Sequence, residues 1–220
     1  VIAHDLRSPM GSIKMVLNML MLNLPVEKIG GEMYELLTMA NRTTEDVFSL
    51  LDNLLKWTKS QIGNLNVVYQ DVDAVEVVDS VIDVFNMVAG LKKITIREEK
   101  PEKLPVCTDI DMLKTIIRNL LSNAIKFSNE NSEVLVKMEE QGDTVVVSVK
   151  DSGCGIDEEG QQKLLHTDTH FSTFGTNNEE GSGLGLLLCQ DFAVKSGGKL
   201  WFTSKKGEGS TFYFSIPLKK

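Results

Sequence analysis

Apolar residues at Ile2, Leu6, Met10, Ile13, Leu17, Leu20 and Leu24 recur in steps of four and three, which places them on one stripe of a helix. A strand cannot use that spacing, because its side chains alternate with a period of two. Pro25 and the Gly30-Gly31 pair interrupt the pattern. Met33, Leu36/Leu37, Ala40, Thr43/Thr44, Val47, Leu50/Leu51, Leu54 and Trp57 then repeat it for about seven turns. The spacing predicts an antiparallel hairpin of two long helices. Two helices alone close no core, so pairing with a second copy into a four-helix bundle is the expected solution, making the chain a homodimer. Packing of the hairpin on the rest of its own chain is the alternative.

Around Gly63-Asn64 the pattern changes. Period-two segments predict strands near Asn66–Asp71, Ile94–Glu99, Glu133–Glu140, Thr144–Lys150, Lys199–Ser204 and Ser210–Ile216. Helical spacing predicts helices near Val75–Ala89, Ile110–Phe127, Glu158–Leu164 and Leu184–Lys195. Gln141-Gly142-Asp143 and Lys206-Gly207-Glu208-Gly209 would join antiparallel neighbours. The expected fold class is therefore α+β in two domains: a helical hairpin over 1–63, and an α/β sandwich over 64–220 with its helices on one sheet face.

A formal charge of −8 on 220 residues repels a phosphate backbone and argues against nucleic acid as a partner. The three cysteines, Cys107, Cys154 and Cys189, stand far apart without metal-ligand spacing, which fits a reducing compartment. Lys14, Asn18 and Asn23 break the apolar stretch Ile13 to Leu24, short of the ~20 apolar residues of a membrane helix. The chain opens on Val1 in mid-pattern, so it reads as a piece of a longer protein.

His4 lies about 200° around the helix from both Ile2 and Leu6 and so points away from the seam. A lone helical histidine is ordinarily a solvated surface residue. Here Ser8 stacks on its face and Asp5 adjoins it, and a nearby carboxylate can hold the imidazole proton on one nitrogen while the other keeps its lone pair. Pro9 would kink a continuous helix below His4; equally, Ser8-Pro9 could be a helix start.

In the segment Ile110–Phe127, Asn119, Asn123 and Lys126 fall within about 60° of one another beside an apolar stripe. Amide oxygens and an ammonium suit a hard cation and a phosphate, although an ordinary helix flank has the same composition. Asp151-Ser152-Gly153-Cys154-Gly155-Ile156 ends a strand in a glycine turn, where a carboxylate could accept from an exocyclic amine and backbone could approach a flat ring; it could also be a simple turn. Gly181-Ser182-Gly183-Leu184-Gly185-Leu186 leads into a helix whose first N–H groups suit phosphate. No strand precedes it and no Gly-x4-Gly-Lys-Ser/Thr run exists, so it is neither a dinucleotide fingerprint nor a P-loop. The stretch Leu165–Glu180 is polar and reads as a lid with Phe171 as anchor. His166, Asp168 and His170 within it read as solvated lid residues, not metal ligands.

His4-Asp5-Leu6-Arg7-Ser8-Pro9 resembles the phospho-acceptor motif of sensor histidine kinases. The Asn-Leu-Leu-x-Asn-Ala-x-Lys-Phe helix, the Asp-x-Gly-x-Gly turn and the Gly-x-Gly-Leu-Gly turn resemble the ATP-binding domain shared by those kinases, gyrase, mismatch-repair ATPases and heat-shock chaperones. The resemblance covers nearly all of Ile2–Pro217. It implies ATP and Mg2+ as cofactors, with Asn123 on the metal, Asn119 beside it, Lys126 near the phosphates and Phe127 against adenine. It further implies Asp151 on the adenine amine, with Gly153, Gly155 and Ile156 around the base. Gly181, Gly183, Leu184 and Gly185 would form a hinge beside the phosphates, and Thr211 would join the adenine network. His4 would be the phosphorylated residue, Asp5 its general base, and Ser8 the residue positioning water in dephosphorylation of a partner. The implied reaction is autophosphorylation on His4, with bending at the Gly63-Asn64 junction, followed by transfer to an aspartate of a response-regulator receiver domain. The related ATPases generally carry Glu where this chain has Asn119. The resemblance also implies the cytoplasmic portion of a membrane-anchored sensor, with any membrane contact made by segments upstream.

Overall fold

The computed structural model describes residues 2–24, 30–61, 66–164, 175–176 and 183–218, with the side chains of residues 2–8, 42, 45, 46, 49 and 59–61 outside that description. The chain divides into two compact units, Val1–Asn64 and Leu65–Lys220.

In the first unit, α1 (Ile2–Asn23) packs against α2 (Gly31–Gln61). Pro9 lies inside α1, so the helix runs through it and does not start there. Leu17 and Met21 of α1 are half-buried, as are Leu37, Asn41, Phe48 and Leu51 on α2, where Thr44 is buried. The Lys14 ammonium sits 6.0 Å from the Phe48 ring centre, a cation–π contact between the helices. A second stripe remains uncovered in the single chain. On α1 it includes Ile13 (48% exposed), Val16 and Leu20, and on α2 it includes Leu36 (54%), Val47, Leu50 and Leu54. Each helix thus carries two adjoining apolar seams, of which only one is covered within the chain. Among the described residues no helix is long and apolar enough to cross a membrane.

The second unit opens with β1 (Gln70–Asp73), α3 (Ala74–Leu91), β2 (Thr95–Glu99), β3 (Pro105–Thr108) and α4 (Ile110–Phe127). It continues with β4 (Glu133–Gln141), β5 (Thr144–Lys150), α5 (Glu158–Lys163), α6 (Gly185–Lys195), β6 (Leu200–Lys205) and β7 (Gly209–Pro217). Five strands form one sheet in the order β2-β4-β5-β7-β6, with only the β2–β4 pair parallel. Gln141 pairs with Thr144, so Gly142-Asp143 is a two-residue hairpin loop, and Gly142 has the positive φ of 63° that such a loop requires. Strand burial alternates, with Val134, Val136 and Met138 of β4 and Phe212 and Phe214 of β7 inside. The apolar stripe of α4 (Leu113, Ile116, Ile117, Leu120, Leu121, Ala124) is buried, and α3 and α6 flank it.

β1 and β3 form a separate antiparallel pair, with Gln70 opposite Thr108. β3 carries no legible pattern, being four residues opened by Pro105. The first expected strand also begins later than its sequence suggests. Val68 gives its N–H to the Asp109 carboxylate at 2.9 Å, so ladder pairing starts only at Gln70. Asp109 also caps α4 by accepting from Asp111 and Met112 N–H, and Asp73 caps α3 while accepting from Leu104 N–H.

Leu121 is 0% exposed under the sheet, whereas Leu91 at the end of α3 is 86% exposed. Leu121→Ala is expected to destabilise the second unit by about 2–5 kcal/mol, from lost burial plus the cavity left. Leu91→Ala should change it by no more than about 0.5 kcal/mol. Urea unfolding of the two variants checks the contrast.

Candidate functional site

The second unit holds a cavity of about 280 Å³ between the end of α4, the turn after β5 and the start of α6. Asn123 and Phe127 of α4 line one wall; Asp151, Cys154, Gly155, Ile156 and Asp157 line another. Leu164, Leu186, Lys206, Ser210 and Phe212 complete it. Asn123 and Phe127 lie one helical turn apart and reach the cavity because the stripe buried beneath the sheet fixes how α4 is rolled. Among the described residues no hydrogen bond claims the Asn123 carboxamide.

Asp151 is the buried anion of the site, at 4% exposure. Its Oδ1 accepts the N–H of Gly153 at 2.9 Å and of Ser210 at 3.2 Å. Burial pushes its carboxyl above the usual carboxylate range, and the two N–H donors only partly oppose this. The polypeptide after Asp151 is pressed tightly on its neighbours. A Cβ at position 153 would stand 2.0 Å from the Phe127 carbonyl oxygen, and one at 155 would stand 2.0 Å from that of Lys205. Gly155 additionally has φ 62°, so both close approach and a left-handed backbone demand glycine there. The Cys154 N–H donates to the Phe127 carbonyl at 3.3 Å, tying this turn to the end of α4.

The Lys126 ammonium lies 4.9 Å from the Phe127 ring centre, beside the cavity and not among its lining groups. Asn119 donates to the Thr115 carbonyl at 2.9 Å, and its Oδ1 would be 2.7 Å from a Cβ at Gly185, so a larger residue there would have to displace the Asn119 carboxamide. Gly183 has φ 67°, and Leu184 at the N-cap of α6 supplies no side-chain cap to the first turn.

Thr211 is not brought to the cavity. Ser210 and Phe212 line it, and successive residues of a strand face opposite sides, so Thr211 points to the other face of β7. Ser210 is the residue that sequence reasoning missed, and the alternation with Phe212 and Phe214 could have found it. Its hydroxyl lies 2.9 Å from that of Ser204, which also accepts the Ile156 N–H at 2.8 Å. Lys206 and Asp157, paired at 3.2 Å, likewise went unnoticed, having only loop composition around them. His4, Asp5 and Ser8 lie on α1, their side chains outside the described residues. Phe171 and Gly181, and with them His166, Asp168 and His170, lie outside the described residues altogether. Among those described, no group of His, Cys, Asp and Glu could hold a metal ion.

Residues 108–220 match the family model described as histidine kinase-, DNA gyrase B-, and HSP90-like ATPase. The adaptive-response sensory kinase SasA of Crocosphaera subtropica is 29% identical over 223 aligned residues, covering 99% of this chain and 58% of SasA. The chain therefore spans little more than half the length of that curated relative. The catalytic domain of the histidine kinase ThkA is 29% identical with a TM-score of 0.59, covering 69% of this chain and 97% of that domain. Full-length ShkA, solved in complex with AMPPNP, shares the fold at a TM-score of 0.75 and 21% identity, covering 100% of this chain and 45% of ShkA. With a family match that takes in both cavity walls, and sensory kinase relatives to which it is similar along the hairpin as well, the chain belongs to the histidine kinase-, DNA gyrase B- and HSP90-like ATPases.

Proposed function

We propose that this chain is the kinase core of a two-component sensor, which binds magnesium-ATP in the cavity of its second unit and phosphorylates His4 of its first. The observation that carries the reading is the buried carboxylate of Asp151 in the wall of a cavity that also presents Asn123 and Phe127. An acceptor kept out of water discriminates strongly for a ligand N–H, because a base lacking that donor would leave it unsatisfied. Asp151 accepts from the adenine amine, Phe127 packs on the ring, and Ser210 and Ile156 border the base. The carboxamide oxygen of Asn123 is a hard donor of the kind magnesium takes, and nothing described competes for it. Bound there, the ion would offset charge on the phosphates. Lys126 and the first N–H groups of α6, with Gly181, Gly183, Leu184 and Gly185, form the phosphate end.

The imidazole nitrogen of His4 forms the new N–P bond while the P–O bond to the leaving ADP breaks, and Asp5 takes the imidazole proton. The phosphoryl group then passes to an aspartate of a response-regulator receiver domain, and Ser8 positions water for the reverse, dephosphorylating activity. The uncovered seam through Ile13, Leu20, Leu36 and Leu50 supports a homodimer closed as a four-helix bundle. The chain is read as facing the cytoplasm of a membrane-anchored sensor, with the anchor elsewhere in the protein.

Incubation with radiolabelled ATP and magnesium should give wild-type chain an acid-labile, alkali-stable label that His4→Ala does not acquire. A wild-type chain that stays unlabelled, or a His4→Ala variant that labels, contradicts the kinase reading. Asp151→Asn should abolish nucleotide binding, since its one oxygen would go on accepting the Gly153 and Ser210 N–H groups and its NH2 would meet the adenine amine donor to donor. Its effect on folding runs the other way. A carboxyl whose folded pKa is raised disfavours the fold above that pKa, and the cost disappears as pH falls below the unfolded value. The Asn variant, free of this cost, should melt at the same or a higher temperature than wild type at pH 7. For wild type, nucleotide affinity should fall as pH drops through the raised pKa of Asp151. Calorimetric titration and thermal melts across pH 4–8 would check both.

A further inference from the structure

The last turn of α4 is held from outside the cavity by a side chain that the reaction itself does not use. Lys92 follows α3 and is 7% exposed. Its ammonium donates to the carbonyls of Ile125 at 3.0 Å and Lys126 at 2.9 Å, and to the Thr176 hydroxyl at 2.6 Å. Thr176 in turn gives its N–H to the Lys126 carbonyl at 3.1 Å, and its hydroxyl donates to the Ser128 carbonyl at 2.8 Å. A cation among the last carbonyls of a helix is favourably placed, because those groups have no partner in the helix and carry the negative end of its dipole.

The backbone around Lys92 is shaped for this. The N–H groups of Lys92 and Ile94 both return to the Ala89 carbonyl, and Lys93 between them is left-handed at φ 55°. That conformation is unfavourable for a residue other than glycine and persists only where surrounding contacts require it.

The carbonyls so gripped belong to the turn that carries Phe127 in the cavity wall and Lys126 over its ring. On the cavity side the Phe127 carbonyl is gripped by Cys154 N–H. We infer that Lys92 and Thr176 are positioning residues of the nucleotide site, a clasp that fixes the terminal turn of α4 so that Phe127 and Lys126 stand ready for the ligand. Neither lines the cavity. Helix ends fray when their carbonyls are left to water, so loss of the clasp makes nucleotide binding carry the cost of ordering that turn.

The inference rests on the nucleotide reading above, and calorimetric titration of the whole chain with magnesium and a non-hydrolysable ATP analogue separates the two. Lys92→Met keeps most of the buried stem and removes the ammonium; Thr176→Val removes only the hydroxyl, at an exposed residue. Each should bind the analogue on the order of threefold to thirtyfold more weakly. Thr176→Ser should bind as wild type does, and the double variant should be no weaker than Lys92→Met alone, because the two act through one clasp. Melting temperatures taken alongside separate positioning from stability, since Thr176→Val should melt close to wild type. If Lys92→Met does not fold, Thr176→Val against Thr176→Ser decides the matter. Wild-type affinity in folded Lys92→Met or in Thr176→Val, or independent effects in the double variant, overturns the clasp and leaves the nucleotide reading standing. A wild-type chain that takes up no analogue overturns both.

Discussion

Burial of one stripe of α4 beneath the five-stranded sheet is the constraint on which the rest of the second unit depends. Leu113, Ile116, Ile117, Leu120 and Leu121 are each no more than 2% exposed, so α4 has no freedom to roll. The same rotation that hides these residues turns Asn123 and Phe127 toward the cavity and Asn119 toward Gly185. Stability and site geometry are thus two faces of one helix. Asn123 and Phe127 inherit their places in the cavity wall from apolar contacts on the opposite side of α4.

The helix is fixed at its ends as well as along its length. Asp109 accepts N–H groups at its start and also that of Val68, which joins the beginning of the unit to the same cap. At its other end the carbonyls of Ile125, Lys126 and Phe127 are taken by Lys92, Thr176 and Cys154, drawn from three separate parts of the chain. The helix that presents the ligand groups is therefore held by hydrogen bonds as well as by packing. Asp151 shows the opposite balance. It is buried as an acid with two N–H donors, and its raised pKa means that the fold tolerates a charge in the cavity wall that works against its stability. The first unit has its own version of this economy, since seams through Ile13 and Leu36 stay uncovered although they cost solvent exposure.

Residue spacing alone determined the type of every element but β3. α4 appears with the bounds Ile110–Phe127 that its stripe predicts, because eighteen residues of amphipathic helix leave little ambiguity. The Gly142-Asp143 hairpin and the two long helices were equally legible, the first from turn chemistry and the second from a repeat too long to be accidental. Asn123, Phe127 and Asp151, singled out by resemblance, stand together at the cavity, although the Asp-Ser-Gly turn on its own could equally have been a simple turn. The strand β3 and the late start of β1 were not legible, because short ladders are made by their partners and leave no period of their own.

What tertiary structure alone decided is who meets whom. Thr211 was the residue of this strand that the resemblance pointed to, and only the facing of β7, set by which residues the helices cover, turns Ser210 to the cavity in its place. Lys92 is one of two adjacent lysines with nothing to distinguish it from Lys93, yet one is buried at the end of α4 while the other extends to Glu130 at 3.8 Å. A sequence records the local forces, namely period, turn and cap, because these act between near neighbours. Burial of a charge and the choice of a strand face depend on residues tens of positions away, and those are chosen only when the chain has closed on itself.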